Sequence, residues 1–190
     1  MSMRQMTKKF LVGSLISFML LFGAWPAIAG PVTGAIFTTN ADGTFVNGNV
    51  YNSEFEPFLN GGPRPNAPCS AAGLPNGDYY FQVTDPSGSV PLSSDGIEQR
   101  KVRVYNGVIT AYLGGSHGYN EPPLTQCGAT TVQLYPFGAT PNPGGEYKVW
   151  MTPVANYDMS GGGSFGFIPK YSKTDNFKVI PSEGDCSECQ

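Results

Sequence analysis

Alternating apolar and polar positions recur along the chain in short segments, which are separated by turns rich in glycine and proline. The segment over residues 77–85 is the clearest, because Tyr79, Phe81 and Val83 fall on one side of an extended chain and the residues between them on the other. No stretch after residue 29 repeats apolar residues at the helical spacing of about 3.6 residues. The pattern therefore predicts short β-strands and almost no α-helix.

Turn sequences divide the rest of the chain into further strands. Asp42-Gly43 predicts a tight hairpin after the first strand and Asn106-Gly107 predicts another, since both dipeptides favour positive φ angles. Three prolines and several glycines over residues 61–73 predict a long loop. The predicted strands cover residues 32–39, 44–51, 77–85, 100–105, 108–113, 130–137, 145–154 and 177–180, the last of them as an edge strand.

Short strands with turns about every 8–12 residues are typical of antiparallel sandwiches. We therefore expect an all-β fold, an antiparallel sandwich of two sheets that follows an N-terminal signal helix. A small closed barrel is the alternative. One domain is expected over residues 30–180, because two halves of about 80 residues would each have a marginal core.

The N-terminal segment has the three parts of an export signal. Basic residues precede an apolar run from Phe10 to Leu21, and Ala27 and Ala29 then occupy the small-residue positions of an A-x-A cleavage site. This predicts a signal peptide over residues 1–29 and an extracytoplasmic location, either secreted, periplasmic or at the cell surface. An uncleaved signal anchor is the alternative.

Charge narrows the range of partners. The predicted signal contains three of the 11 basic residues and none of the 14 acidic ones, so the remaining chain has 8 basic and 14 acidic residues and a net charge of −6. An acidic chain with scattered basic residues indicates no binding of nucleic acid and no polybasic contact with anionic lipid. No second long apolar stretch follows, so no membrane span is expected after signal cleavage.

Residues 74–88 (LPNGDYYFQVTDPSG) resemble the signature strand and turn of prealbumin-like modules, the collagen-adhesin B-repeat type of bacterial exported and surface proteins. Residues 144–149 (GGEYKV) echo the same pattern of glycine, acid and tyrosine. The resemblance implies that the expected fold is an Ig/prealbumin-like sandwich, and it implies a stalk, spacer or ligand-presenting role. Many such modules carry a Lys–Asn isopeptide bond that starts from a first-strand lysine, but residues 32–39 contain no lysine, so we do not expect that cross-link here.

Four cysteines allow three disulfide pairings. We favour Cys69–Cys127, which would hold the long loop against the connection that precedes residue 130, together with Cys186–Cys189. The second pair forms a C-x-x-C within a predicted flexible tail over residues 181–190. Acidic neighbours raise a thiol pKa and so disfavour a redox nucleophile there, which leaves an intermolecular cross-link as the functional alternative.

The residues give little support for catalysis. His117 is the single histidine, and no nucleophile elbow accompanies it. We expect no catalytic residue, no cofactor and no metal, although a carbohydrate-active hydrolase that uses paired carboxylates remains an alternative. Asn40, Asp42 and Asn47 are weak calcium candidates in one oxygen-rich turn, where an Asx-turn is the simpler interpretation.

Several aromatic residues fall on the polar-facing side of their strands and form a candidate binding face for carbohydrate or protein. Burial between packed sheets is the alternative. The predicted function is a non-catalytic secreted or cell-surface module with a structural, adhesive or ligand-binding role, and a second alternative is an assembly subunit that pairs through a sheet edge. The candidate residues are Tyr80, Tyr105, Tyr112, Tyr135 and Trp150.

Overall fold

The computed structural model describes residues 30–121 and 126–180. The predicted signal peptide over residues 1–29 and the predicted tail over residues 181–190, with Cys186 and Cys189, lie outside the described residues.

Most of the regular secondary structure in the described residues is β-strand, which confirms the all-β prediction. A four-residue turn, α1 (Gly162–Phe165), and short 3-10 segments connect the strands, and Gly163 and Ser164 within this turn have non-helical backbone angles. The strands are β1 (Ala35–Thr39), β2 (Val50–Tyr51), β3 (Phe58–Gly62), β4 (Gly77–Thr84), β5 (Lys101–Tyr105), β6 (Val108–Tyr112), β7 (Tyr119–Asn120), β8 (Thr131–Gln133), β9 (Glu146–Pro153) and β10 (Lys173–Val179).

The strands form two sheets that contribute to one apolar core. The smaller sheet has the order β1-β3-β8-β7 and the larger has the order β2-β10-β9-β4-β5-β6, which curls into a half-barrel. Neighbouring strands are antiparallel except β2, which runs parallel to β10. Leu59 and Val132 of the smaller sheet and Phe81 and Val149 of the larger sheet are all fully buried in the same cluster.

Strand β4 shows the predicted alternation. Tyr79, Phe81 and Val83 are fully buried in the main core. Tyr80 points to the opposite face, where it is also buried, in a second and smaller cluster that contains Phe167. The outer face of the larger sheet is therefore partly covered by the chain that follows β9.

The Asn106-Gly107 hairpin is confirmed. Both residues have positive φ angles, 50° and 87°, and Tyr105 pairs directly with Val108. Positive φ at both central residues gives the turn the twist that its flanking strands need.

The hairpin predicted at Asp42-Gly43 is wrong. Strand β1 pairs instead with β3, with Ala35 opposite Gly62, and of residues 44–51 only Val50 and Tyr51 form a strand. Phe45 is exposed and does not alternate with buried neighbours, so the segment gains nothing by pairing along β1.

Strand β3 was not predicted, because it ends in Gly61-Gly62 and so resembles the loop that follows it. Both glycines are needed where the two sheets approach closely. A Cβ at Gly61 would lie 2.8 Å from Leu74 Cδ1, and one at Gly62 would lie 3.1 Å from Val108 Cγ1. A strand glycine here marks close packing rather than a loop.

The last strand is longer than predicted and is not at an edge. Strand β10 lies between β2 and β9 and begins four residues earlier than the sequence pattern indicates. Its first half is polar, but Asp175 turns inward and accepts a hydrogen bond from the backbone N–H of Thr38 at 2.9 Å. A partly buried polar contact therefore extends the strand where hydrophobic alternation gives no signal.

Candidate functional site

The single histidine lies in a buried polar cluster that connects the two sheets. His117 Nε2 is 2.9 Å from Asp95 Oδ2, and Arg100 Nε is 3.2 Å from Asp95 Oδ1. On the other side of the ring, His117 Nδ1 is 2.8 Å from the backbone carbonyl oxygen of Gln133, which ends β8. The imidazole thus connects the turn before β5 to the smaller sheet.

Both ring nitrogens of His117 face oxygen atoms. A backbone carbonyl only accepts, so Nδ1 donates to Gln133. Nε2 lies against the Asp95 carboxylate on the other side of the ring. Neither nitrogen is left free to accept a proton from a substrate.

This geometry differs from that of a catalytic triad. The Ser116 hydroxyl oxygen is 3.3 Å from Asp95 Oδ2, so the serine contacts the carboxylate rather than the imidazole. A triad serine contacts the ring nitrogen opposite the carboxylate, and in this protein that nitrogen bonds to Gln133. Phe81 packs edge-on against the imidazole, whose side chain is fully buried. The arrangement is that of a structural link.

Cys69 and Cys127 form the predicted disulfide, with their Cα atoms 5.3 Å apart. The bond connects the loop between β3 and β4 to the turn that precedes β8. The predicted Cys186–Cys189 bond falls outside the described residues and stays a prediction.

The five aromatic residues of the predicted binding face lie in different environments. Tyr80 and Trp150 are 4% and 6% exposed, because the chain after β9 covers them. Tyr105 is 54% exposed, at the end of β5. Tyr112 and Tyr135 are partly buried against the main core. The structure therefore does not bring the five together on one open face, and strand alternation alone gives no sign of the covering segment.

Hydrogen bonds hold the turn that contains the calcium candidates. Asp42 Oδ1 accepts from the backbone N–H of Thr44 at 3.0 Å and from its hydroxyl at 2.6 Å, and these bonds lower the pKa of Asp42. Asn40 Oδ1 accepts from the backbone N–H of Phe45, and Asn47 adopts a positive φ of 57°. These are the contacts of an Asx-turn. In the described ranges, no three His, Cys, Asp or Glu side chains group as metal ligands would.

Two further carboxylates serve structural hydrogen bonds. Burial acts to raise the pKa of Asp85, but hydrogen bonds from Ser87 and from the backbone N–H groups that follow it bring this pKa below its ordinary value. Burial raises the pKa of Asp175, which accepts from Thr38 in the other sheet. One carboxylate thus stabilises a turn and the other a contact between sheets.

An apolar groove of about 380 Å³ opens beside β2, at the edge of the larger sheet. Phe45, Val50 and Phe55 line this groove and are 54%, 54% and 52% exposed. Tyr51 and Phe58 are buried beneath them. Sequence reasoning missed the groove because Phe45 and Phe55 lie in irregular segments, although apolar residues in turn-rich segments are themselves a signal.

Specific contacts position the walls of the apolar groove. Gly48 lets the Phe45 ring lie close to the backbone, since a Cβ there would be 2.5 Å from Phe45 Cδ1. On the opposite wall the Phe55 ring rests on Tyr135, with ring centroids 4.4 Å apart. The side-chain amide of Gln133 donates to the Phe55 carbonyl at 2.8 Å. Gln133 therefore connects the Phe55 wall of the groove to His117, which bonds to the backbone carbonyl oxygen of Gln133.

A second cavity of about 410 Å³ adjoins the first and is more polar, so we call it the polar cavity. Tyr147 lines the polar cavity. Burial raises the pKa of its hydroxyl most, and the negative charge of Glu54 raises this pKa further. The backbone N–H of Thr140 donates to the Tyr147 hydroxyl at 3.2 Å. The side chains that line the polar cavity include Asn52, Glu54, Phe137, Thr140, Asn142 and Tyr147.

Comparisons with models of known protein families, with curated proteins and with solved structures find no match. In the part of the chain that the structure describes, no helix has the length and apolar character needed to cross a bilayer.

Proposed function

We propose that this chain is a non-catalytic, exported β-sandwich module of the Ig/prealbumin-like kind, which binds a partner protein at the apolar groove. The observation that carries the proposal is the exposure of Phe45, Val50 and Phe55 around one concavity. Grouped apolar side chains on the surface of a soluble domain mark interaction sites. The Cys69–Cys127 disulfide is compatible with an extracytoplasmic location.

The energetics favour recognition at this groove. Complete burial of a fully exposed large apolar side chain contributes about 1.5–3 kcal/mol, and covering a groove side chain that is about half exposed contributes roughly half of that. Aromatic residues in a pocket commonly dominate binding energy. Because Gly48 and Tyr135 already hold Phe45 and Phe55 in place, a partner would order few additional side chains on this wall.

Other interpretations have less support. Tyr80 and Trp150 are buried, which disfavours a broad aromatic platform for carbohydrate. The edge strand β2 is two residues long, which disfavours assembly by strand addition at that edge. Both ring nitrogens of His117 are engaged, which disfavours general base catalysis by this residue.

Site-specific photo-crosslinking in the cells that produce the protein tests the proposal. Benzoylphenylalanine in place of Phe45 or Phe55 should crosslink to the same partner protein upon irradiation. Tyr105 is the matched control position, because it is equally exposed but lies on β5, four strands away from β2.

The control decides the result. A discrete crosslinked product from both groove positions and none from Tyr105 supports the proposal, provided that the Val50→Ser variant weakens the same crosslink. Equal crosslinking from all three positions, or no product from either groove position, would show that the groove is not a binding surface.

A further inference from the structure

The apolar groove and the polar cavity lie on the two sides of one short segment. Asn52 lines both, Glu54 lines the polar cavity, and Phe55 and Glu56 line the apolar groove. The backbone N–H of Asn52 donates to Glu56 Oε2 at 2.8 Å, which closes the segment into a compact turn. A ligand that lies across this turn would contact both concavities.

The polar cavity contains a carboxylate without a cationic partner. Across the described ranges, Glu54 makes neither an ion pair nor a hydrogen bond, and its side chain is exposed. Its charge acts on the Tyr147 hydroxyl, which places the carboxylate near an aromatic floor formed with Phe137. A carboxylate beside aromatic rings is the environment that favours an ammonium or guanidinium group.

Charge in both concavities has one sign. The residues that line them include Glu54 and Glu56 but no Lys, Arg or His. The chain after the predicted signal also has more acidic than basic residues. A cation near this surface therefore meets attraction from the site and from the molecule as a whole.

We propose that the two concavities together bind one segment of the partner protein, in which an apolar side chain enters the apolar groove and a neighbouring lysine or arginine enters the polar cavity beside Glu54. This inference rests on the proposed function and specifies the chemistry of its partner. The apolar contact supplies most of the affinity, and the cation selects the partner and its orientation.

Three small probes of the same shape test the charge preference without knowledge of the partner. Phenylbutylamine, phenylbutanol and phenylbutyrate each combine a phenyl ring with a cationic, neutral or anionic end. Amide shifts of the isotope-labelled domain should show binding of phenylbutylamine with Kd of about 1 mM, with changes at residues 52–56 and at Tyr147. The anionic probe should bind least.

Glu54→Gln should weaken the binding of phenylbutylamine by about two- to five-fold, as expected for an exposed ion pair. It should leave the binding of phenylbutanol unchanged. Glu121→Gln is the control, because Glu121 is exposed and lines neither concavity. Equal binding of all three probes at the groove would overturn the cation site while leaving the proposed groove in place. Binding of none of them, together with absent crosslinks from Phe45 and Phe55, would overturn both.

A second copy of this chain is the competing occupant. Sedimentation velocity of the domain should show a monomer at all concentrations tested. The amide chemical shifts of the groove residues should also stay unchanged as the protein concentration rises. Self-association that Phe45→Ser abolishes would instead identify the groove as a homodimer interface and overturn the basic partner segment.

Discussion

At the scale of single residues, His117 illustrates why the role of a lone histidine cannot be inferred until its contacts are known. The ring donates to Gln133 on one side and contacts Asp95 on the other, and Asp95 in turn contacts Arg100. The side chains of Asp95, Arg100 and His117 are at most 13% exposed. Removal of the Asp95 carboxylate would therefore leave the buried Arg100 guanidinium without its partner.

Asp95→Asn should destabilise the protein by about 3–5 kcal/mol, since it leaves Arg100 and His117 without their shared carboxylate. Urea unfolding of the single variants and of the double variant with His117→Gln measures the coupling, because Gln keeps a donor toward residue 95. Ser116→Ala is the control, and should change the free energy of unfolding by less than about 1 kcal/mol, because its contact is long and exposed. Additive effects of the two cluster substitutions would contradict the link.

Asp175 should make stability fall as pH rises. Burial raises its folded-state pKa above the ordinary value, so the protonated form is favoured in the folded protein. Its contribution is fully present below the unfolded pKa and is lost as pH rises through the folded pKa. Asp175→Asn keeps an acceptor for the Thr38 N–H and removes this titration.

The difference in free energy of unfolding between Asp175→Asn and the wild type should therefore grow as pH rises from below the ordinary aspartate pKa through the raised folded-state pKa. Asp85 has the opposite effect, because its pKa is lowered and its contribution to stability is lost as pH falls. Asp85 is present in both proteins, so its effect cancels when the two free energies are subtracted. A difference that is constant with pH would show that Asp175 has the same pKa in both states.

At the scale of elements, strands and turns that depend on local sequence could be predicted, and those that depend on distant contacts could not. The β5–β6 hairpin and the faces of β4 could be predicted, because local turn chemistry and alternation determine them. Strand β3 and the first half of β10 could not, because close packing at Gly61 and a partly buried contact at Asp175 depend on distant strands. The apolar groove depends on such contacts too, because only the folded chain brings together the apolar residues that lie apart in its turn-rich segments.

The disulfide should stabilise one loop in particular. Cys69 and Cys127 are 58 residues apart, and closing a loop of that length contributes up to about 4 kcal/mol in the chain-entropy model. The Cys69→Ser, Cys127→Ser double variant should lose stability toward urea and become sensitive to proteolysis between residues 63 and 73. Cleavage sites elsewhere, with this loop still protected, would show that other contacts hold it.

At the scale of the whole molecule, the residues that stabilise the fold are separate from those proposed to bind. The main core joins both sheets through fully buried side chains such as Phe81 and Val149. The groove side chains Phe45 and Val50 lie at the edge and are more than half exposed. Binding affinity can therefore change at the groove without a change in folding stability.

Paired substitutions test this separation. Phe81→Ala should cost about 3–5 kcal/mol, because it leaves a cavity where the sheets meet. Phe45→Ser should change the free energy of unfolding by less than about 1 kcal/mol, because most of that ring is already in water. Urea unfolding gives both values, and the crosslink from position 55 in the Phe45→Ser protein gives the effect on binding. If Phe45→Ser cost as much as Phe81→Ala, Phe45 would be a folding residue and the groove would lose its claim to be a recognition surface.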